Sequence, residues 1–214
     1  MAESESVKDQ SVGAFLDALA SRAPTPGGGS VAALSGAMAA GLLSMVCNLT
    51  IGKKQFAEYE DEIRSIMERS EALRAELQRL AEDDIAVFGR LAAAYKLPRT
   101  TDADAASRQS AIQQVTRQAS DVPLRVAQAA AALLPLCTAL ASRCARLIVS
   151  DVGVAAVLSR ATVQSAVMNI EINLAGLEDQ IYVRETRAQI ADLLIGLNEE
   201  TDGVIALVRD RING

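Results

Sequence analysis

The sequence contains no histidine and no tryptophan, and its 214 residues include only three phenylalanines, three tyrosines and five prolines. Without histidine, a Ser-His-Asp triad and most zinc sites are excluded. Any proton transfer must therefore be carried by a carboxylate, a lysine, a tyrosine or a cysteine. The scarcity of aromatic residues also leaves little from which to build a β-sheet.

Cysteine is scarce as well, and the 21 lysines and arginines are outnumbered by 27 aspartates and glutamates. The three cysteines, Cys47, Cys137 and Cys144, are an odd number in apolar helical contexts, which indicates reduced core thiols in a cytoplasmic protein. The formal net charge of −6 argues against nucleic acid and against a membrane surface as partners. The first ten residues are acidic and polar and do not resemble a signal peptide.

Half of the residues are apolar, which is enough to build the core of a single domain. Apolar positions recur at helical spacing in every long segment. We therefore predict an all-α fold, a multi-helix bundle of about six to seven helices in residues 11–214, preceded by a disordered tail at residues 1–10. Ser11, Ser30 and Ser150 are expected N-caps, and Thr101 with Asp104 forms an expected capping box.

The stretch 24–54, PTPGGGSVAALSGAMAAGLLSMVCNLTIGKK, joins a glycine-rich turn to an uncharged helix. The glycines permit backbone conformations closed to other residues, and Ser30 is placed to cap a helix that begins at Val31. The free N–H groups of the first turn then predict a pocket for an anionic or carbonyl-rich ligand. Two other interpretations of the uncharged run are a membrane span, by length alone, and close packing of helices through small side chains.

The third expected helix, residues 57–95, carries an apolar seam that advances in alternating steps of three and four residues. Its members are Ile63, Ile66, Ser70, Leu73, Leu77, Leu80, Asp84, Val87 and Leu91. Asp84 is the one ionisable group in this seam. A buried carboxylate without a partner costs on the order of several kcal/mol, so Asp84 needs either a function or a basic partner on a neighbouring helix. The sequence favours a site carboxylate and leaves the ion pair open.

Two asparagines, Asn169 and Asn173, lie one turn apart beside the apolar stripe of the sixth expected helix, which runs from Asp151 to about Gly176. Half-buried amides need hydrogen-bond partners. They therefore either tie two helices together or hold a polar ligand, and the sequence does not choose between these interpretations.

The motifs PTPGGGS, LTIGKK, LAEDDIAVF, DVPL, SDVGVAA and MNIEINL follow one another along the chain. Together they resemble the methenyltetrahydrofolate cyclohydrolase family, which includes the cyclodeaminase domain of formiminotransferase-cyclodeaminase. The resemblance runs from about residue 11 to the C-terminus. It implies an all-helical homodimer that acts on a tetrahydrofolate derivative without metal, nucleotide or other cofactor.

The resemblance also implies roles for particular residues. It identifies Asp84 as the catalytic carboxylate and Lys53 as a second catalytic group in contact with the substrate. The implied substrate-binding residues are Pro26, Gly27, Gly28, Gly29, Ser30, Thr50, Asp151, Asn169 and Asn173. The pair Cys144-Ala145 departs from the family pattern, which has Gly-Asn in that place.

We therefore expect an enzyme of one-carbon metabolism that interconverts 5,10-methenyltetrahydrofolate and 10-formyltetrahydrofolate. An alternative within the same family is a cyclodeaminase, which releases ammonia from 5-formiminotetrahydrofolate. A third hypothesis, from a different class, is a non-catalytic helical protein that binds folate or a protein partner.

Overall fold

The computed structural model describes residues 6–214, and all regular structure in that range is helical, which confirms the expected all-α fold. Two 3₁₀ turns, Lys54–Tyr59 and Arg146–Ile148, lead into α3 and α6. The α-helices of the described chain are α1 Val12–Leu19, α2 Gly28–Thr50, α3 Glu60–Tyr95, α4 Asp102–Ala131, α5 Leu134–Ala141, α6 Val149–Leu174, α7 Gln180–Leu194 and α8 Leu197–Asn213.

The helix starts agree with the expected caps at Ser11 and Thr101 and differ from them at Ser150 and, at the start of α2, at Ser30. Ser11 accepts a hydrogen bond from the Ala14 N–H at 3.1 Å, and Thr101 and Asp104 form a reciprocal capping box. Ser150 does not cap α6, because the preceding 3₁₀ turn runs directly into a helix that already begins at Val149. Of the expected tail, residues 1–5 lie outside the described residues, while the Ser6 hydroxyl donates to the Glu82 carboxylate on α3.

Two of the expected helices are divided differently in the structure. The sequence predicts that one helix ends near Ser120 and that the next starts at Asp121, with Pro123 in its first turn and a bend near Pro135. Helix α4 instead continues through Pro123, whereas the helix is interrupted at residues 132–133, just before Pro135, in agreement with the expected bend.

The sequence also predicts one last helix from about Glu178 to Ile212. The structure interrupts this helix at Gly196, whose φ of +72° lies in the left-handed region that glycine tolerates. This interruption produces α7 and α8.

Helix α2 occupies the centre of the bundle and packs between α3 and α6. A Cβ built on Gly28 would approach Asn169, and one built on Gly36 would approach Thr162, so α2 and α6 run antiparallel. Helix α4 packs against both α3 and α6 and closes the other side of the bundle. The three cysteines are buried free thiols, as expected.

Within residues 6–214, three helical stretches are long and apolar enough to cross a bilayer by length and composition alone: Gly28–Thr50, Asp102–Ala141 and Arg146–Leu174. In the most apolar window of each, 61%, 61% and 44% of the residues are buried within the folded chain. The uncharged character of α2 therefore has an explanation in packing, because a charge at the centre of the bundle would need a partner.

The close approach of α2 to its neighbours predicts a large effect of a side chain at Gly36. A Cβ there would lie 3.1 Å from Leu77 Cδ1 and 3.1 Å from Thr162 Cγ2, so two other helices would have to move. Gly36→Val should lower the free energy of unfolding by about 1–3 kcal/mol, the usual cost of overpacking. Denaturant unfolding of the variant and the wild type measures this difference.

The matched control is Gly203→Ala in α8, where an added Cβ meets no atom within 4 Å. Alanine favours the helix by up to about 1 kcal/mol over glycine, so this variant should be as stable as the wild type or more stable. A Gly36→Val protein that unfolds at the wild-type midpoint would contradict the packing of α2 against α3 and α6.

Candidate active site

A cleft of about 310 Å³ opens at the N-terminal end of α2, where α3, α4 and α6 meet it. Several of the residues singled out by the sequence line this cleft together, namely Gly27, Gly28, Gly29, Asp84, Asn169 and Asn173. Most of the remaining lining is apolar. Among the lining residues within 6–214, Asp84 is the one that carries a charge, and none is a lysine or an arginine.

Ser30 has a different position and role from the one expected. Helix α2 begins at Gly28 rather than Val31, and its N-cap is Gly27, which has no side chain to offer. Ser30 therefore lies in the first turn, where its hydroxyl donates to Asp84 Oδ2 at 2.8 Å and its backbone N–H bonds to the same side chain. Asp84, on α3, thus supplies the acceptor that an N-cap side chain normally supplies.

This contact also answers the question of what Asp84 pairs with. Its hydrogen-bond partner within residues 6–214 is Ser30, and no basic residue in that range forms the ion pair that the sequence left open. Burial raises the pKa of Asp84 above its ordinary value, and the bonds from Ser30 oppose that rise. The carboxylate is therefore held in place by α2 and is a stronger base than an exposed aspartate.

The glycine run is required for space rather than for unusual backbone angles. Gly28 and Gly29 are helical, and Gly27 is extended with φ −138° and ψ −160°. A Cβ on Gly29 would lie only 2.1 Å from Asp84 Oδ1, and a Cβ on Gly28 would lie 3.4 Å from Asn169 Oδ1. The side chains of α3 and α6 can therefore approach the backbone of α2 only because these positions carry no side chain.

The Asn173 side chain ties two helices together at the cleft. Pro123 has no N–H, so α4 lacks the usual hydrogen bond to the carbonyl four residues earlier, at Ala119. The Asn173 Nδ2 donates to that carbonyl at 2.8 Å and satisfies it from α6. This bond explains why α4 can continue through a proline. Asn169 is bound within its own helix, since its Nδ2 donates to the Ser165 carbonyl at 2.8 Å.

Three of the expected site residues lie at the other end of the bundle. Thr50 is buried in the last turn of α2, where its hydroxyl donates to the Val46 carbonyl at 2.7 Å. Lys53 is exposed just beyond that turn, and Asp151 lies in the first turn of α6. Because α2 has 23 residues, roughly 35 Å separate these groups from the cleft within one chain.

Pro26 does not line the cleft but faces a neighbouring cavity of about 550 Å³, which Glu82 also lines. The Thr25–Pro26 peptide bond is cis. Thr25 lines both cavities, so the turn 24–27 forms the wall between them.

Sequence reasoning did not single out the apolar walls of the cleft as site residues. Val87 and Leu91 are members of the α3 seam that contains Asp84, and they continue it into the cleft. Phe88, beside them, is 40% exposed. Ile172, on α6, is 72% exposed at the rim. The sequence pattern that could have identified Val87 and Leu91 is the α3 seam, because they follow Asp84 in it.

The fold and the cleft define an all-helical protein with a half-buried carboxylate at a helix N-terminus, in an otherwise uncharged and largely apolar site. The family model described as formiminotransferase-cyclodeaminase matches residues 11–192. The chain belongs to this family.

Named relatives agree with this assignment. The chain is 38% identical to the methenyltetrahydrofolate cyclohydrolase of Methylorubrum extorquens, over 96% of this chain and 99% of that protein. It is 36% identical to the formimidoyltransferase-cyclodeaminase of Rattus norvegicus, over 89% of this chain but only 35% of the rat protein. The crystal structure of formiminotetrahydrofolate cyclodeaminase from Thermotoga maritima superimposes with a TM-score of 0.81 at 29% identity, over 97% of this chain and 98% of that chain.

The fit of Asp84 against the first turn of α2 predicts opposite outcomes at two neighbouring glycines. Gly29→Ala places a Cβ where the Asp84 carboxylate lies, so the carboxylate must move and lose its bonds to Ser30. We expect a loss of about 1–3 kcal/mol in the free energy of unfolding. Gly27→Ala should be tolerated, because its Cβ would lie 3.7 Å from the nearest atom, the Pro24 carbonyl oxygen. Equal unfolding midpoints for the two variants would contradict this geometry.

Proposed function

We propose that this protein is a methenyltetrahydrofolate cyclohydrolase, which hydrolyses the cationic 5,10-methenyl bridge to 10-formyltetrahydrofolate or catalyses the reverse cyclisation. The observation that carries the proposal is the Asp84 carboxylate, which is the one charged group that the described part of the chain contributes to the cleft and which has a raised pKa. An anion in an apolar site attracts a cationic amidinium, and a basic carboxylate suits the activation of water.

The reaction can be written with Asp84 as the proton carrier. As the water oxygen bonds to the amidinium carbon, one water proton passes to the Asp84 carboxylate and the substrate cation becomes a neutral tetrahedral adduct. The carbon–N5 bond then breaks, N5 takes the proton from Asp84, and the remaining hydroxyl proton leaves to solvent as the formyl carbonyl forms. The net products are 10-formyltetrahydrofolate and one proton.

The apolar walls and the helix terminus have complementary roles in this proposal. Val87, Phe88 and Leu91 offer a surface for the flat pterin or benzoyl rings. Asn169 and Asn173 add amide groups at the opposite wall. The amide oxygens of both asparagines can accept hydrogen bonds from pterin nitrogens, because their Nδ2 atoms are already engaged with protein carbonyls. We further propose that the protein acts without a cofactor and as a homodimer in the cytoplasm.

A second candidate is the cyclodeaminase reaction, in which N10 attacks the formimino carbon and ammonia leaves after protonation by the same carboxylate. It is favoured by the Thermotoga maritima structure, which carries the cyclodeaminase description and is matched over 98% of its chain. A protein without an attached transferase domain can therefore carry the cyclodeaminase description.

Turnover of both substrates by the purified protein tests the proposal and separates the candidates. Methenyltetrahydrofolate absorbs in the near ultraviolet, and the protein should bleach that absorbance faster than buffer alone, without added metal or nucleotide. Release of ammonia from formiminotetrahydrofolate, together with a bleaching rate equal to the blank, would instead establish the cyclodeaminase. If neither substrate turns over, the non-catalytic folate-binding or interaction protein is the remaining hypothesis.

Asp84→Asn tests the role of the carboxylate. This change keeps the shape and an acceptor for Ser30 but removes the base, so turnover should fall by at least about 100-fold. Because the pKa of Asp84 is raised in the folded state, the protonated side chain is the form that stabilises the fold. This stabilisation is present below the pKa of the unfolded state and is lost as the pH rises through the pKa of the folded state. The variant should therefore be at least as stable as the wild type at neutral pH. Turnover near the wild-type rate would exclude Asp84 as the base.

A further inference from the structure

Helix α3 extends past the start of α2 and carries one wall of the cleft outward with it. A Cβ on Gly29 would meet Asp84, and a Cβ on Gly36 would meet Leu77, so the two helices run antiparallel. Residues 85–95 of α3 therefore lie beyond the N-terminus of α2. The wall that α3 contributes to the cleft continues along this extension.

Aromatic side chains follow Asp84 along the same face of α3. Phe88, Leu91 and Tyr95 come four, seven and eleven residues after Asp84, which is the spacing of one helix face. Phe88 is 40% exposed and Tyr95 is 54% exposed, so both rings present apolar surface outside the core. The distance from Asp84 to Tyr95 along the helix axis is about 16–17 Å.

A cation lies at the outer end of this face. Arg108, on α4, places its guanidinium carbon 5.7 Å from the centre of the Tyr95 ring. Its Nε and Nη2 donate to the Tyr95 carbonyl at 3.3 and 3.2 Å. Arg108 also lies eleven residues, or about three turns, before Ala119, which lines the cleft from α4. The walls formed by α3 and α4 therefore lead to the same guanidinium group.

This guanidinium group is oriented by the fold but its charge is not paired. The bonds to the Tyr95 carbonyl use Nε and Nη2, and Nη1 makes no hydrogen bond with any residue from 6 to 214. No aspartate or glutamate in that range forms an ion pair with Arg108. An arginine has five N–H donors and no acceptor, which suits it to carboxylates. Arg108 can therefore bind a carboxylate in a fixed orientation.

The proposed substrate has carboxylates at a matching distance from its reacting carbon. The benzoyl ring and one amide group separate the bridge carbon from the glutamyl carboxylates, and at ordinary bond lengths they span about 10–13 Å. An attacking water between Asp84 and the bridge carbon adds about 3–5 Å. The whole length, about 13–18 Å, includes the distance from Asp84 to Tyr95 along α3.

The chemistry of the two ends of the substrate also selects one orientation. If the substrate were turned around, the pyrimidine edge of the pterin, whose nitrogens donate hydrogen bonds, would face a side chain that has only donors. With the tail at Arg108, the pterin instead lies toward Asn169 and Asn173, whose amide oxygens can accept those bonds.

We infer that Arg108 binds a carboxylate of the glutamyl tail, and that the benzoyl ring lies along Phe88 and Leu91 between Arg108 and Asp84. Arg108 is then a residue that binds substrate and determines specificity, outside the cleft in which the reaction takes place. The identity of the ligand rests on the proposed function.

A substrate without the tail separates this role from a structural one. The matched compound is a 5,10-methenyltetrahydrofolate analogue that ends in a primary benzamide, which keeps the pterin, the bridge and the ring but has no carboxylate. In the wild type, KM should be about tenfold higher for the benzamide than for the folate, with little change in kcat, because the lost contact is remote from the reaction. Equal KM values for the two compounds would overturn the inference.

Arg108→Met removes the charge and should raise KM for the folate about tenfold, but KM for the benzamide by less than about twofold. If Arg108 only bonded the Tyr95 carbonyl and so held the end of α3, both compounds would be affected equally, which would overturn the inference. Arg108→Lys keeps a charge but loses the planar donor pair, and it replaces the methionine variant if that variant does not fold. It should likewise raise KM for the folate more than KM for the benzamide.

Arg99→Met is the matched control, because it removes an exposed positive charge from the loop between α3 and α4. It should keep the wild-type KM for both compounds. An equal rise in KM for the folate in Arg99→Met and Arg108→Met would indicate a general attraction for anions and would overturn the inference.

Calorimetric titration with 5-methyltetrahydrofolate, which has no carbon bridge to hydrolyse, separates this inference from the proposed function. Weaker binding by Arg108→Met, together with a wild type that turns over neither folate, would overturn only the proposed function. Normal turnover with the wild-type KM in Arg108→Met would overturn only the inference. A wild type that neither binds nor turns over a folate would overturn both.

Discussion

The contact between the Asp84 carboxylate and the first turn of α2 is the interaction on which the rest of the site depends. It requires that Gly29 has no side chain, because the carboxylate lies where a Cβ would be. It also requires Ser30, which donates both its hydroxyl and its backbone N–H. Helix α2, whose N-cap is Gly27, is thus capped by a side chain from the neighbouring helix α3. The same carboxylate, that of Asp84, lies in the cleft.

Asp84 caps α2 and is also the general base that we propose, and these two roles make opposite demands on its pKa. A cap is stabilised by hydrogen bonds to the ionised form, which lower its pKa, whereas a general base needs a pKa that is not too low. In Asp84, burial raises the pKa and outweighs the bonds from Ser30. On the opposite wall, Asn173 also has two roles. It donates a hydrogen bond to the carbonyl that Pro123 leaves without a partner in α4, and it lines the same cleft.

Much of the fold and part of the site could be predicted from the sequence. Periodicity located most of the helices, and the interruption of an apolar seam identified Asp84, because a charge in a seam is visible in one dimension. The role of Ser30 and the passage of α4 through Pro123 could not be predicted, since each depends on a side chain from another helix. Nor could periodicity show that Lys53 and Asp151 lie a helix length from Asp84. Helical periodicity shows on which face of its own helix a residue lies. It does not show at which end of the bundle the residue lies, because that depends on the relative directions of the packed helices.

The most direct test of this account is the titration of Asp84 itself. The Cγ resonance of ¹³C-labelled aspartate, assigned by its absence from the Asp84→Asn spectrum, reports the protonation of this one group against pH. The account predicts a pKa above the ordinary value of 3.8, and a further rise in Ser30→Ala, which removes the hydroxyl that stabilises the ionised form. A pKa at or below 3.8, or no response to Ser30→Ala, would contradict a desolvated carboxylate held by α2.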